Sequence, residues 1–389
     1  MKRSNLIVVG LICFGLVFAG VLAALQVDRW IKGNQDKGPA VLGNPVSPLN
    51  ASLTEVTAAP FDFKAAAKQI MPSVVSIDAI VERETFMGER FLQNASSGSG
   101  VVVSKEGHIV TNSHVVRDPG AQNRAASQFR ITFSDGTVRT AKAVGIDIRS
   151  DLAVLKVDGA EVTPMQFGDS AALEIGEWVL AVGNPLGYAN TVSVGVVSSL
   201  NREMGDSAAN TMFDAIQTDA AINQGNSGGA LCNSKGELVG INTSIASIGG
   251  GNIGIGFAIP VNRMRRVVKD ILEFGYAKYA GLGIDIHPRP QLLAIPQARE
   301  EIKQLSGTSA EPPSTGVLVR EVFQGTSAAQ SGLKRFDIIV SLDGTDVSDL
   351  AGYNKFILQK KPGDKVKLKV WSAGKTSDIT VTLMDVGRN

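Results

Sequence analysis

The chain has 389 residues, which is room for two or three domains, and 44% of them are hydrophobic, which is enough for buried cores. Its net charge of +1 argues against a nucleic-acid-binding protein or one with an acidic tail. The 42 glycines and the 6% aromatic content favour a mainly β chain with many turns. The two cysteines, Cys13 and Cys232, suffice for neither a metal cluster nor a disulfide framework, so we expect no metal site.

The N-terminal segment, residues 1–30, carries an uncharged apolar run over residues 6–25. As a helix this run would span roughly 30 Å, one hydrocarbon core, which predicts a transmembrane anchor with Lys2 and Arg3 on the cytoplasmic side. The alternative is a cleaved signal peptide, for which Val-Leu-Ala at 21–23 is a weak cleavage site. Residues 31–60 are rich in Gly, Pro, Asn, Ser and Ala, which indicates a flexible linker.

The next segment predicts one short helix followed by many short strands. Residues 61–71 indicate the helix, which Pro72 ends. Asp135-Gly136 and Lys235-Gly236 are typical of hairpin tips, and the polar residues 117–128 look like a surface insertion. The clearest β-branched runs lie at residues 73–80, 99–103, 108–110, 129–133, 152–157, 178–182 and 192–198.

Residues 260–275 predict an amphipathic helix that Gly275 ends. Its apolar face is Met264, Val267, Val268, Ile271 and Leu272, and its polar face is Arg263, Arg265, Arg266 and Lys269. We favour a solvated face over a nucleic-acid patch. A second domain follows from residue 276, with a helix at 349–360, strands at 366–370 and 378–383, and a Pro-Pro loop inside a long insertion at 288–314.

The chemistry centres on Gly-Asn-Ser-Gly-Gly at 225–229. Glycines let such a turn hold the Ser227 hydroxyl outward and aim backbone N–H groups at one point, as a nucleophile with an oxyanion hole requires. Upstream, His114 ends an apolar run and Asp151 opens an alternating strand. The order His, Asp, Ser is that of the chymotrypsin-type double barrel and not of subtilisins or α/β-hydrolases. A glycine-rich turn with an incidental serine is the alternative that three ordered motifs disfavour.

These motifs resemble those of the HtrA (Deg) serine proteases. The matching pieces are Thr-Asn-Ser-His-Val at 111–115, Ser-Asp-Leu-Ala at 150–153, the turn at 225–229, and Gly-Ile-Gly-Phe-Ala-Ile-Pro at 254–260. The resemblance implies a chymotrypsin-like double six-stranded β-barrel at 61–275 and a single PDZ domain at 276–387. It also implies an ATP-independent serine endopeptidase of the cell envelope that cleaves misfolded or regulatory proteins in quality control and stress response, without a cofactor.

The resemblance assigns roles to individual residues. His114, Asp151 and Ser227 would be the catalytic triad, and the N–H groups of Gly225 and Ser227 would form the oxyanion hole with Asn226 as a further donor. Asp147 and Asp158 are competing acids whose sequence contexts do not match those of the family. The substrate pocket would be lined by Ile222 and Ile255, which are apolar and bulky and favour small aliphatic residues such as Val or Ala over Lys or Arg.

In the second domain, Gly281, Leu282, Gly283 and Ile284 resemble the PDZ carboxylate-binding loop and would bind hydrophobic C-terminal peptides. Whether such binding regulates the protease or delivers substrates stays open. The resemblance implies a homotrimer, for which Phe61 and Phe63 suggest a contact. The expected location is the inner membrane with both domains on the periplasmic side, or the soluble periplasm if the N-terminal segment is cleaved.

The sequence also offers three functions other than that of a protease. Gly-x-Gly-x-x-Gly at 249–254 matches a dinucleotide fingerprint, but β-like residues 255–259 follow it where a helix is required. A non-proteolytic chaperone or peptide-binding module could keep the same fold. A membrane-tethered PDZ adaptor would leave a complete triad unexplained.

Overall fold

The computed structural model describes residues 62–120, 125–159, 161–185, 191–204, 212–223, 225–245, 254–289 and 291–387. The predicted membrane anchor and flexible linker, residues 1–30 and 31–60, lie outside them. Within these ranges no helix combines the length and the apolar character that a membrane crossing requires.

The first barrel follows helix α1 (Phe63–Ile70), which begins where Asp62 accepts hydrogen bonds from the N–H groups of Lys64 and Ala65, both at 3.0 Å. A 3-10 turn at Met71–Ser73 then leads into six antiparallel strands that close in the order β1-β2-β3-β6-β5-β4. A short helix, α2 (Ser113–Val116), follows β3. The strands are β1 (Val74–Glu84), β2 (Arg90–Val102), β3 (His108–Thr111), β4 (Gln128–Thr132), β5 (Val138–Asp147) and β6 (Leu152–Val157).

The second barrel closes in the order β10-β11-β12-β9-β8-β7, so the prediction of two six-stranded barrels is confirmed. Residues of both barrels share one hydrophobic cluster, in which Val110 and Leu152 of the first meet Leu180 and Ile241 of the second. Cys232 is fully buried in it, as a small hydrophobic residue. The strands are β7 (Trp178–Gly183), β8 (Thr191–Met204), β9 (Met212–Thr218), β10 (Ala230–Asn233), β11 (Leu238–Ile245) and β12 (Gly256–Pro260).

Helix α3 (Val261–Phe274) packs its apolar face into the same cluster and ends at Gly275, which has a φ of +82°. Two side chains of this helix have surroundings that differ from those predicted. Leu272 is 45% exposed and does not join the buried face. Arg263 is not solvated, because it pairs with Asp214 at 2.7 Å and its side chain is 8% exposed.

The C-terminal domain is a sheet in the order β14-β15-β16-β18-β19, in which β17 pairs with β16, and a separate two-stranded pair, β13 with β20. Helix α6 (Leu350–Ile357) packs on the sheet, as predicted for residues 349–360. The strands are β13 (Ala280–Gly281), β14 (Ile284–Ile286), β15 (Val317–Val322), β16 (Ile338–Leu342), β17 (Thr345–Asp346), β18 (Lys365–Ser372), β19 (Lys375–Thr382) and β20 (Met384–Asp385), and the remaining helices are α4 (Pro296–Leu305) and α5 (Ser327–Gln330).

The long insertion at 288–314, in which the sequence indicated only a Pro-Pro loop, contains helical structure. It holds a 3-10 turn (Leu292–Ala294) and helix α4, which starts with Pro296 in its first turn, where proline is tolerated. Leu293 and Ile302 are buried against Trp371 of the sheet. This packing stabilises a helix that the sequence pattern did not indicate, because prolines flank it.

The insertion at 117–128 is anchored at both described ends. Arg117 forms an isolated β-bridge with Ala125, and the Asp118 carboxylate pairs with the Arg83 guanidinium of β1 at 2.5 Å. These contacts agree with a surface insertion that is held on the first barrel.

Candidate active site

Helix α2 presents His114 at the surface of the first barrel. Its neighbours Ser113, Val115 and Val116 are buried, so the short helix is fixed while the His114 side chain stays 43% exposed. The N–H of Ser113 and the side-chain amide of Asn112 both donate to the carbonyl of Asp151 at 3.0 Å. The turn that carries His114 is therefore tied to the turn that carries Asp151.

Asp151 lies between β5 and β6 with a φ of +52°, a left-handed conformation that residues with a Cβ adopt rarely. Its carboxylate accepts hydrogen bonds from four donors: Nδ1 of His114 at 2.8 Å, the backbone N–H of His114 at 3.1 Å, Oγ of Ser113 at 2.9 Å and Oγ1 of Thr243 at 2.7 Å. Contacts of this number determine the position of the carboxylate and hold the unusual backbone in place.

The protonation of Asp151 follows from these contacts. Burial by itself raises the pKa of the carboxyl, but the hydrogen bond and charge of His114 and the hydrogen bonds from Thr243 and Ser113 outweigh it. The pKa therefore lies below its ordinary value of 3.8. Asp151 is ionised at neutral pH, which lets it hold a proton on Nδ1 of His114 and leave Nε2 free to accept one.

Ser227 sits in a turn whose glycines are required. Gly225 and Gly228 have φ values of +98° and +82°. A Cβ on Gly228 would lie 2.2 Å from the carbonyl oxygen of Ser99 and from Oγ1 of Thr111, so no side chain fits between this turn and the first barrel. The hydroxyl of Ser227 donates to the carbonyl of Thr243 at 2.8 Å.

Thr243 of β11 connects the two halves of the site, and the sequence did not reveal it. Its hydroxyl donates to Asp151, and its carbonyl accepts from Ser227. One residue of the second barrel therefore contacts both the acid of the first barrel and the candidate nucleophile. Thr243 is one of many threonines in β-branched strands, and nothing in its local sequence marks it.

The three candidate oxyanion donors differ from one another. In the described part of the chain, the N–H groups of Gly225 and Ser227 have no hydrogen-bond acceptor. The N–H of Asn226 instead donates to the carbonyl of Asn223 at 2.9 Å, which closes the turn. The expectation for Asn226 is therefore corrected, because a bonded N–H is not available to an incoming oxyanion.

The two pocket candidates differ in their exposure. Ile222 is 1% exposed and packs in the core of the second barrel with Val197, Ile216 and Leu231. A Cβ on Gly256 would lie 2.9 Å from Cδ1 of Ile222, so Ile222 lies directly beside the start of β12. Ile255, which precedes that strand, is half-buried. Ile222 belongs to the wall of the barrel, and Ile255 is the more accessible of the two.

Asp147, a competing acid in the sequence, has a different set of contacts. It is 7% exposed and accepts hydrogen bonds from the hydroxyls of Ser150 and of Tyr279, the latter just before the PDZ strands. Burial, followed by the charge of Asp147, raises the pKa of Tyr279. Asp147 thus braces the turn of Asp151 against the start of the PDZ domain.

Asp158, the second competing acid, and two further titratable residues, Asp219 and His108, have local structural roles. Asp158 has a side chain that is 75% exposed and pairs with Lys156, and Asp219 accepts from the N–H of Val196 at 2.6 Å. His108 is half-buried, and its Nδ1 lies 2.8 Å from Oγ of Ser104. None of these contacts joins the cluster around Asp151.

The predicted carboxylate-binding loop lies at one edge of the PDZ sheet. Gly283 has a φ of +76°, and the carbonyls of Leu282 and Gly283 accept from the N–H groups of Ala328 and Phe323 at 3.2 Å. Among the described residues, the N–H groups of Leu282 and Gly283 have no acceptor. Strand β14, which starts at Ile284, pairs only with β15, so its other edge is open within the described chain.

Known families match both parts of the chain. The model of the trypsin-like peptidase domain matches residues 98–241, and that of the PDZ domain matches residues 281–383. The fold and the site therefore define a trypsin-like peptidase domain followed by one PDZ domain.

Individual relatives narrow this class. The structure of the HtrA-type protease AlgW with a decapeptide aligns with a TM-score of 0.66 and 31% identity, over 83% of this chain and 98% of that one. The serine endoprotease from Yersinia pestis aligns with a TM-score of 0.60 and 28% identity, over 84% and 99%. The chain belongs to the HtrA-type serine proteases, which confirms the resemblance seen in the sequence.

Curated relatives are longer than this chain. A probable periplasmic DegP-like serine endoprotease of Chlamydia trachomatis serovar D is 39% identical over 294 residues, which are 76% of this chain and 55% of the relative. A protein of the same description from Bartonella henselae is 38% identical over 293 residues, 75% of this chain and 54% of the relative. The matched region thus spans just over half the length of these relatives.

Proposed function

We propose that the protein is an ATP-independent serine endopeptidase of the bacterial cell envelope, with His114, Asp151 and Ser227 as its triad. The proposal rests on the hydrogen bonds of Thr243. This residue donates to Asp151, which holds His114, and it accepts from the hydroxyl of Ser227. A structural role alone would not require an ionised carboxylate with four donors beside a glycine turn in which two N–H groups have no acceptor among the described residues.

In this mechanism Ser227 attacks the substrate carbonyl while Nε2 of His114 takes its proton. Asp151 fixes the imidazole and stabilises the imidazolium that forms. The N–H groups of Gly225 and Ser227 hold the oxyanion, a contribution of about 2.7–4 kcal/mol for a single donor in related chemistry. His114 then returns the proton to the leaving amine, and a water molecule repeats the sequence to release the acyl group.

The described position of the Ser227 hydroxyl implies one preparatory step. Because it donates to the carbonyl of Thr243, it must give up this hydrogen bond and direct its proton to His114 before attack. The cost is the exchange of one neutral hydrogen bond for another, which is small beside the barrier of peptide hydrolysis.

The substrates we propose are misfolded or regulatory proteins, cleaved after small aliphatic residues. Ile255 is half-buried and apolar, Ile222 belongs to the apolar barrel wall, and neither supplies a carboxylate that would select Lys or Arg. Since apolar pockets separate neighbouring side chains by only about 1–3 kcal/mol, we expect broad specificity.

We propose that the PDZ domain binds hydrophobic C-terminal peptides along β14. The unpaired N–H groups of Leu282 and Gly283 suit a carboxylate, and the open edge of β14 suits an added strand. The AlgW structure with a decapeptide supports peptide binding by the family. A non-cleavable peptide added with a short reporter separates two roles: faster reporter cleavage indicates regulation, whereas unchanged or slower cleavage indicates substrate delivery.

The names of the relatives support a periplasmic location. We propose that residues 6–25 anchor the chain in the inner membrane and that the protein assembles as a homotrimer. N-terminal sequencing of protein purified from cells tests the anchor: a mature chain that starts near residue 24, in the soluble fraction, would show a cleaved signal instead. Sedimentation equilibrium of residues 31–389 tests the trimer.

Casein degradation by residues 31–389 tests the activity itself. We expect cleavage without ATP and loss of cleavage in Ser227→Ala, with an unchanged circular dichroism spectrum. Full cleavage by Ser227→Ala, free of other proteases, would exclude the assignment, and a folded wild-type protein without activity would favour the chaperone or adaptor.

A further inference from the structure

Ser99 is a buried residue of the first barrel that contacts the nucleophile turn of the second. It precedes the end of β2 and has no exposed surface. We propose that Ser99 is a positioning residue that holds the oxyanion hole in its active shape. The proposal deepens the proposed function and rests on it.

Three hydrogen bonds join Ser99 to the segments around the site. Its backbone N–H donates to the carbonyl of Ser227 at 2.8 Å, and its hydroxyl donates to the carbonyl of Gly225 at 2.5 Å. The same hydroxyl accepts the N–H of Asn184, at the end of β7, at 2.8 Å. Ser99 therefore contacts both residues whose N–H groups would hold the oxyanion.

The carbonyl contacts matter because the turn is intrinsically free. Gly225 has no Cβ and a φ of +98°, so its own chemistry permits several orientations of the two peptide planes around it. Ser99 fixes the carbonyl of the Gly225–Asn226 peptide, and the N–H of that peptide is fixed by Asn223. With one side of Gly225 held, the direction of its own N–H depends only on the φ and ψ angles of Gly225.

The position of Ser99 is itself determined by its surroundings. Oγ1 of Thr111 donates to the Ser99 carbonyl at 2.6 Å. A Cβ on the preceding Gly98 would lie 2.7 Å from Val115 and 3.1 Å from the carbonyl of Ser227. The strand that carries Ser99 and the turn that carries Ser227 therefore lie in close contact.

Ser99→Ala removes only the hydroxyl and leaves the Gly225 carbonyl and the Asn184 N–H unpaired. Ser76 of β1 is a matched control, since it pairs with Ser99 across the strands and is 2% exposed. Both variants and Ser99→Cys, which keeps a small side chain with a weak donor, are measured in the full-length protein. The readouts are kcat and KM on a short fluorogenic peptide, and the affinity for the matching peptide aldehyde, whose adduct places an oxyanion in the hole.

For Ser99→Ala we expect kcat to fall by about 10- to 100-fold, somewhat less than the loss of a whole oxyanion donor, with KM changed less than about threefold. Aldehyde affinity should fall by the same factor as kcat, and Ser99→Cys should lie between. Ser76→Ala should leave all three values unchanged. If Ser99→Ala fails to fold, the same pattern in Ser99→Cys is the test.

A folded Ser99→Ala with wild-type kcat, or a loss of kcat with unchanged aldehyde affinity, would overturn the proposal. Equal losses in Ser76→Ala would also overturn it, because they would indicate general destabilisation of the barrel. Failure of the proposed function looks different, since the wild-type protein itself would then neither cleave the peptide nor bind the aldehyde.

Discussion

Replacing Asp151 by Asn tests the central acid without changing its size. In the structure, Oδ1 accepts from Ser113 and from the backbone N–H of His114, and Oδ2 accepts from Thr243. Nδ1 of His114 lies 3.0 Å from Oδ1 and 2.8 Å from Oδ2. An asparagine must place its NH2 group at one of these two positions.

The contacts decide which position it takes. At Oδ1 the NH2 group would oppose the backbone N–H of His114, which can only donate. At Oδ2 it would face the hydroxyl of Thr243, which can accept instead of donate. His114 would then have to accept at Nδ1 and carry its proton on Nε2, the atom that should receive the proton of Ser227. We therefore expect kcat to fall on the order of 10⁴-fold, or about 5 kcal/mol.

The assay is kcat of residues 31–389 on a fluorogenic peptide with Val before the cleaved bond. Asp158→Asn is the matched control, because Asp158 is exposed and pairs only with Lys156, and its kcat should equal that of the wild type. A folded Asp151→Asn with kcat within tenfold of the wild type would refute the assignment of Asp151.

Three further predictions concern the supports of the site. Thr243→Val removes one of the four donors to Asp151 and should lower kcat about tenfold, measured with the same peptide. Tyr279→Phe should lower the free energy of unfolding in urea by about 1–3 kcal/mol, because Asp147 loses a buried hydrogen-bond donor. Tyr353→Phe in the PDZ core is the control, which should not affect the turn of Asp151. Because the folded pKa of Asp151 lies below its unfolded value, the carboxylate stabilises the fold above the ordinary value of 3.8 and that stability is lost as the pH falls through the folded pKa. Urea unfolding between pH 3 and pH 7 should therefore show a shallower pH dependence for Asp151→Asn than for the wild type.

The features that could be predicted from the sequence are those that depend on the order of motifs along the chain and on local residue patterns. His114, Asp151 and Ser227 stand in short motifs whose order indicates one fold, and the strands between them are β-branched runs. The helix end at Gly275 was equally visible, because a glycine after an amphipathic run is a strong local signal.

Contacts between distant segments could not be predicted in this way. Thr243 and Ser99 are ordinary strand residues whose partners lie 92 and 126 positions away. The sequence placed Arg263 on a solvated face because helical spacing cannot show that Asp214 of β9 lies beside it. Helix α4 was not predicted because the prolines around it indicated a loop, although its residues are good helix formers. The packing of Ile302 on Trp371, which the sequence cannot show, stabilises the helix.

Covalent labelling of residues 31–389 by a fluorophosphonate, followed by peptide mass spectrometry, tests the assignment of Ser227 most directly. We expect one modified residue, Ser227, with labelling that is abolished in Ser227→Ala and strongly slowed in His114→Ala. Labelling at another serine, or equal labelling of Ser227 without His114, would contradict it.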